Sequence, residues 1–196
     1  ANEFFDAIPL NQYVKMGKLW YEKRIYVDKK NELNFILSEF PVQKKIPFPS
    51  IAKDGFVFEY SSYINLLLSQ IFDRIYNYGG VFIIIDYAKN DDCGKNTLSF
   101  IHKHTHVKPF YSPGNTDIST KPDFKLIKSL ALKAKCKVIG PFSQNFFLTK
   151  LGVELRFESL IKANPRLSSS LLASKKRLID KDFMGEIFKV LIITNT

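Results

Sequence analysis

Residues 61–87 read SSYINLLLSQIFDRIYNYGGVFIIIDY, and their order decides the fold. Ile64, Leu67, Leu68, Ile71, Phe72 and Ile75 recur at helical spacing, with Ser61 or Ser62 placed to cap the first turn. Gly79-Gly80 ends the helix, because a left-handed terminal residue costs glycine least. A continuous β-branched and aromatic run follows at 81–85, closed by Asp86 and Tyr87. A strand apolar on both faces requires cover on both, which points to a parallel sheet in an α/β fold.

Downstream the alternation repeats. Residues 123–135 read as a helix with Phe124, Ile127, Leu130 and Ala131 inward, and 137–139 as a strand. Ser143 caps a further helix that Gly152 ends; 155–162 and 167–179 are helical, and 187–193 is a last strong strand. This succession fits an open, doubly wound sheet. Upstream, 12–16 and 18–27 flank Gly17 as a hairpin, 33–37 continues it, and 56–60 adds a short extended piece. Leu19 and Tyr21 alternate with Trp20 and Glu22, as in a half-buried antiparallel sheet, and Pro41, Pro47 and Pro49 mark a surface connection.

The 196 residues, 45% hydrophobic with 18 Phe and 9 Tyr, suffice for one sizeable core or a lobe of a larger one. No apolar run reaches membrane-spanning length. Cys93 and Cys136 form no spaced pair for a disulfide network or a zinc site, so a reducing, cytoplasmic-type compartment is expected. The net charge of +10 raises nucleic-acid binding, but the cations are mostly lysines spread along the chain, with no block beyond Lys29-Lys30, Lys44-Lys45 and 175–177. Clustered cations interleaved with aromatic platforms are missing, which disfavours that reading. No glycine-rich strand–turn–helix loop for a phosphate or cofactor occurs, and no strand precedes ANEFFDA at 1–7. The chain is therefore expected to be the C-terminal part of a larger α/β domain.

In open α/β sheets ligands bind beyond the carboxyl ends of the strands. Asn2, Glu3 and Asp6 would follow such a strand, and Asp86 and Tyr87 follow 81–85. Asn2 and Glu3 beside Phe4-Phe5 either grip a substrate nitrogen or simply cap the next segment. His102, His104 and His106 would share one face of a strand, whereas a loop would scatter them. No nearby Cys or carboxylate completes a metal set, so polar loop residues with one functional histidine is the preferred reading. The turn-rich segment SPGNTD at 112–117 exits through Asp117, which no local role explains, while Asp123 reads as a helix cap. Gln144 either donates to a ligand or just occupies a first helical turn.

Several segments, in this order, resemble one known family: ANEFFDA at 1–7, IIIDYA at 83–88, the His104 segment, PGNTDIST at 113–120 with Asp123-Phe124, QNFFLTKLG at 144–152 and MGEIFKVL at 184–191. Together they are similar to the MidA-type S-adenosyl-L-methionine-dependent methyltransferases, whose mitochondrial member assists respiratory complex I assembly by methylating an arginine of a complex I subunit. The resemblance covers essentially the whole chain. It implies a Rossmann-like class I methyltransferase sheet in which 1–11 is the active-site loop after strand four and 12–59 a β-rich insertion. The α/β remainder is 60–196, with 81–85 as strand five, 137–139 as strand six and 187–193 as the antiparallel strand seven. It makes 1–196 a single partial domain whose cofactor-binding residues are expected upstream of Ala1. Ala88 stands where the family usually has glycine, and Lys121-Pro122 replaces a more usual His-Val.

By the same resemblance, Asn2, Glu3 and Asp6 lie beside the transferred methyl group, and Asp86, Tyr87, His104, Asp117 and Gln144 serve the substrate. A cationic guanidinium calls for carboxylates to orient it, which suits Glu3, Asp6, Asp86 and Asp117; Tyr87 and His104 would shape the wall or handle a proton. The implied function is the acceptor-binding part of an S-adenosyl-L-methionine-dependent methyltransferase acting on protein arginine, with a complex I subunit as acceptor and a separate N-terminal half as partner. The alternatives are an inactive fragment or an assembly subunit, then a basic nucleic-acid binder. The chain alone is expected to bind the cofactor weakly and to be inactive. The expected location is the cytoplasm in bacteria and the mitochondrial matrix in eukaryotes.

Overall fold

The computed structural model describes residues 1–43, 45–88, 94 and 96–195, so Cys93 and Lys44 lie outside the described residues. The chain divides into two compact units. One comprises Ala1–Asp6, Leu67–Ala88 and Pro122–Thr196; the other comprises Ala7–Leu66 and Lys89–Lys121.

The first unit is built on a three-stranded sheet of β5 (Val81–Tyr87), β10 (Phe188–Thr194) and β9 (Lys137–Ser143), with β10 in the middle. Both ladders are antiparallel, pairing Leu191 with Ile84 and Ile193 with Val138, so β5 and β9 run parallel to each other on either side of β10. The parallel neighbour of β5 is the short segment at the chain's start. Asn2 bridges Ile85, the Ile85 N–H donates to the Ala1 carbonyl at 2.8 Å, and the Glu3 N–H donates to the Ile85 carbonyl at 3.2 Å. The final strand is thus antiparallel, as the family resemblance implies, and lies between β5 and β9. The apolar run of β5 did not reveal that its ladder partner is antiparallel, because a strand buried between neighbours reads alike in either direction. Nor are both its faces covered: Ile84 is fully buried, while Val81 is 64% exposed.

Strand β9 runs four residues past the expected 137–139. Gly140, at φ 100°, followed by a cis peptide to Pro141, sits in a bulge between the pairs Phe142–Val190 and Ile139–Ile192, and the strand resumes to Ser143. A Cβ at Gly140 would lie 2.7 Å from the Val190 carbonyl oxygen, so only glycine permits this approach. Helix α1 (Ser62–Tyr78) buries Leu68, Phe72 and Ile75, and α2 (Phe124–Lys133) buries Phe124, Ile127 and Ala131. Asp123 caps α2 by accepting from the Leu126 N–H at 2.9 Å, which is the structural role expected of it. Ser143 caps α3 (Gln144–Lys150), which continues into α4 (Val153–Ala163), α5 (Ser168–Ile179) and α6 (Met184–Ile187). Ala88 is not among the residues with positive φ, so alanine fits where the family usually has glycine.

The second unit carries a four-stranded antiparallel sheet ordered β3 (Leu33–Leu37), β2 (Leu19–Val27), β1 (Asn11–Met16), β4 (Val57–Tyr60). Trp20 stacks on Phe48 with centroids 4.5 Å apart, and Phe56 and Phe58 meet Trp20 edge-on. Buried Glu59 accepts from Gln12 Nε2 at 2.9 Å and from the N–H and hydroxyl of Thr97 at 2.9 and 2.8 Å, tying β4 to the segment that leads into a second small sheet. That sheet is ordered β7 (Thr105–His106), β6 (Ser99–His102), β8 (Asp117–Ser119).

Candidate active site

The candidate residues separate between the two units. Asn2, Glu3, Asp6, Asp86, Tyr87 and Gln144 belong to the first, and His104 and Asp117 to the second. At the carboxyl end of β5, Asp86 and Tyr87 lie beside the segment 1–6, as the general rule for open α/β sheets anticipates. Asn2 and Glu3 cap no helix, since the next regular element is a strand; they extend the sheet edge instead. Glu3 is exposed with φ 44°, a left-handed conformation that non-glycine residues seldom adopt. Phe5, two residues on, is fully buried, while Phe4 is 48% exposed and meets the Phe5 ring edge-on at 5.3 Å. The segment is therefore anchored at Asn2–Glu3 by backbone pairing and at Phe5 by burial, which leaves Glu3 and Phe4 turned outward.

Asp86 is 1% exposed, and its carboxylate accepts from the Tyr87 N–H at 2.8 Å. Burial pushes its pKa up to about 6; the nearby charges of Asp6 and Glu3 push the same way, and the backbone N–H groups of Tyr87 and Phe5 oppose. Tyr87 packs on Phe188 with centroids 4.1 Å apart. Burial and then the Glu3 charge raise its phenol, against the opposing influence of Arg177. Glu3, Asp6, Asp86 and Tyr87 thus sit within electrostatic reach of one another, three carboxyl groups in a protein of net charge +10.

Gln144 is buried, and its side-chain amide donates to the Leu178 carbonyl at 2.9 Å; Asn145 donates likewise to the Ile179 carbonyl. Both amides satisfy the carbonyls left open in the last turn of α5. That turn carries Arg177, the cation that acts on Tyr87 and the residue missed in the sequence. Its only signal was the basic triplet at 175–177, which reads as surface charge. In the second unit, His102 ends β6, Lys103 and His104 form a left-handed turn, and His106 lies in β7. The three histidines therefore do not share one strand face. His102 Nδ1 pairs with the Asn115 carbonyl at 2.7 Å, and exposed Asp117 opens β8 opposite Ile101.

Residues 1–142 match the model of a family described as "Putative S-adenosyl-L-methionine-dependent methyltransferase". The chain belongs to this family. It is 32% identical over 168 residues to the mitochondrial protein arginine methyltransferase NDUFAF7 homolog of Caenorhabditis elegans, covering 83% of this chain and 39% of that protein. It is 26% identical over 199 residues to protein arginine methyltransferase NDUFAF7 of Danio rerio, covering 100% of this chain and 47% of the relative. The chain thus spans less than half the length of these relatives. A Burkholderia thailandensis crystal structure bound to S-adenosyl-homocysteine superposes with a TM-score of 0.82 at 21% identity, over 98% of this chain and 52% of that one. A second structure from the same organism gives 0.83 at 22% identity, covering 98% and 54%. This likeness establishes the fold as the mixed α/β type of these methyltransferase structures.

Proposed function

We propose that this chain forms the acceptor-facing part of an S-adenosyl-L-methionine-dependent protein methyltransferase whose acceptor is an arginine side chain. The observation that carries the reading is the gathering of the Glu3, Asp6 and Asp86 carboxyl groups at the end of β5, with Glu3 exposed at its rim. In this family the cofactor supplies the methyl group. The residues here do not make its cradle: the sequence has no glycine-rich strand–turn–helix loop, and the site offers carboxyl groups and a phenol instead. What they suit is a planar cation. A guanidinium binds carboxylates through paired N–H donors, and holding it in one orientation supplies the alignment that a displacement reaction needs. Asn2 adds a neutral polar group at the same rim. His104 and Asp117 belong to the second unit and have no part in this gathering; the protein acceptor in this reading is a respiratory complex I subunit.

The location follows the relatives named mitochondrial, with a bacterial counterpart in the cytoplasm; among the described residues no helix is long and apolar enough to cross a membrane. The test is methyl transfer from tritiated S-adenosyl-L-methionine by the chain alone and by the chain co-expressed with the N-terminal half of a relative. Labelled methylarginine in the acceptor, formed only by the co-expressed pair, is expected. Label on another residue type, or none in the pair, overturns the proposal.

A further inference from the structure

Strand β3 lies at an edge of its sheet, and its pairing with β2 decides which backbone groups face outward. The Asp28 N–H donates to the Glu32 carbonyl at 2.9 Å, and the Ser38 N–H donates to the Glu22 carbonyl at 2.8 Å. Between them Tyr26 stands opposite Asn34 and Arg24 opposite Ile36. Hydrogen-bonded pairs recur at every second residue of an antiparallel ladder. The N–H and carbonyl groups of Leu33, Phe35 and Leu37 therefore point away from β2, and no hydrogen bond among the described residues engages them. Just past β3 the chain leaves the ladder. It takes four residues, from Ser38 to Val42, to pass the two from Glu22 to Trp20, where the Val42 N–H donates to the Trp20 carbonyl at 2.8 Å. Beside this excess lies a cleft of about 460 Å³, lined by Tyr13, Glu22 and Arg24 from β1 and β2 and by residues 38–43. That volume is within the span of ligand sites.

Arg24 is the cation among the lining residues, with its side chain 62% exposed. Its Nε and Nη2 both reach Glu22 Oε2 at 2.8 Å, and Asn11 donates to the other Glu22 oxygen at 3.0 Å. The guanidinium is thus oriented by its neighbours and keeps further N–H donors to spend. Strand alternation puts Tyr26 and Ile36, both exposed, on the same face as Arg24. Phe40, in the cleft lining, is 70% exposed. Exposed aromatic rings beside an arginine are the composition of interface anchor points.

We propose that β3 and this cleft form a docking site for an extended segment of a partner protein, which pairs as an added strand along Leu33–Leu37 and sets an acidic side chain on Arg24. The open backbone edge calls for an extended chain, because its outward donors and acceptors repeat at strand spacing. The oriented guanidinium calls for a carboxylate, and the net charge of +10 draws an acidic partner. Glu39 in the cleft lining repels a second carboxylate, which limits the acidic residue to one place. The site deepens the arginine-methyltransferase reading and rests on it in one respect: the docked segment belongs to the acceptor protein.

The experiment selects random nine-residue peptides, displayed on phage, against the native chain. Enriched peptides should alternate apolar residues around one Asp or Glu; basic or helix-period sequences, or no enrichment, overturn the proposal. The selected peptide, added to the 15N-labelled chain, should slow amide hydrogen exchange of Leu33, Phe35 and Leu37 at least tenfold, and unchanged exchange overturns the proposal. Arg24→Gln should weaken binding about tenfold, and in that variant a peptide with glutamine for its acidic residue should bind no worse than the parent. Equal affinity for the native chain and Arg24→Gln overturns the carboxylate contact. Leu37→Pro removes an outward N–H that the ladder does not use, and should weaken binding tenfold or more with the circular dichroism spectrum unchanged. Should that variant unfold, the exchange and Arg24→Gln results decide. A dimer of the native chain in sedimentation that Leu37→Pro dissociates overturns the proposal in favour of a second copy. These readouts need neither cofactor nor methyl transfer, so they stand or fall apart from the methyltransferase reading. In a co-expressed pair that transfers methyl groups, the peptide should raise KM for the acceptor tenfold or more and leave kcat unchanged. An unchanged KM there overturns the assignment of the segment to the acceptor.

Discussion

Replacing Asp86 by asparagine should change how stability depends on pH, and the size of the change follows from where the carboxyl group sits. Burial and the neighbouring carboxylates raise it from 3.8 in the unfolded chain to about 6 in the fold. A raised carboxyl pKa means the folded state holds the proton more tightly. Its contribution is therefore fully present below pH 3.8 and is lost as pH rises through about 6. At about 1.4 kcal/mol per tenfold change in proton affinity, the whole loss is about 3 kcal/mol. Roughly half of it, ~1.4 kcal/mol, falls between pH 5 and 8, and the remainder at lower pH. Asparagine does not titrate, so the other carboxyl groups cancel when the two proteins are compared at each pH. Lost hydrogen bonds shift the variant by a constant and leave the slope alone. Urea unfolding followed by far-UV circular dichroism at pH 5 and pH 8 should show the variant gaining about 1.4 kcal/mol on the native chain. A gap that stays constant over this range, or narrows, would refute the placement of an ionised carboxylate in a dry site.

Glu3→Gln should remove methyl transfer by the co-expressed pair while leaving the circular dichroism spectrum and unfolding midpoint of the chain unchanged; retained turnover takes Glu3 out of the mechanism. Glu3→Gly should be more stable than Glu3→Ala by about 1 kcal/mol, because the φ of 44° strains any residue with a Cβ; in an ordinary strand the order is reversed. Gly185→Ala should cost about 2–3 kcal/mol, since a Cβ there would run into the Ile179 carbonyl and lie 2.7 Å from the Asp180 carbonyl oxygen; a cost under about 1 kcal/mol refutes the packing of α6 on the end of α5. Asp123→Ala should cost about 1 kcal/mol through loss of the cap on the Leu126 N–H, measured by urea unfolding.

The elements that were legible in the sequence are those whose period is long and whose ends carry punctuation. Helix α1 has six apolar residues at helical spacing and a Gly-Gly stop, and the strands from β1 to β4 are aromatic and β-branched runs set between turns. Strand β9 was read short because Gly140-Pro141 normally ends a strand, whereas here the pair forms a bulge that β10 accommodates. Strands β6 to β8 span four, two and three residues, too few to show a period, so the fate of the three histidines stayed open until the turn at Lys103-His104 settled it. The carboxyl end of β5 was legible as a site because a polar residue closes an apolar run. That Asp86 is buried and bound to backbone, and that Arg177 acts on Tyr87, depend on contacts between segments distant in sequence.

The geometry of Glu3 ties these observations together. A glutamate in the left-handed region sits about 1–2 kcal/mol above its ordinary conformation, a cost that glycine at the same position would not carry. Such a residue stays in place only when its surroundings over-determine it. Two attachments do so here: the backbone pairing of Asn2 and Glu3 with Ile85, and the full burial of the Phe5 side chain. Burying Phe5 contributes about 2–3 kcal/mol, enough to offset the strain at Glu3. The charge on Asp86 works against the fold at neutral pH, since burial disfavours the ionised form. A segment optimised for stability alone would carry glycine at position 3 and an uncharged acceptor at position 86. Both departures occur at the carboxyl end of β5, where the segment 1–6 pairs with Ile85. Under the proposed arginine reading, a strained but pinned Glu3 keeps a carboxylate in place before the guanidinium arrives.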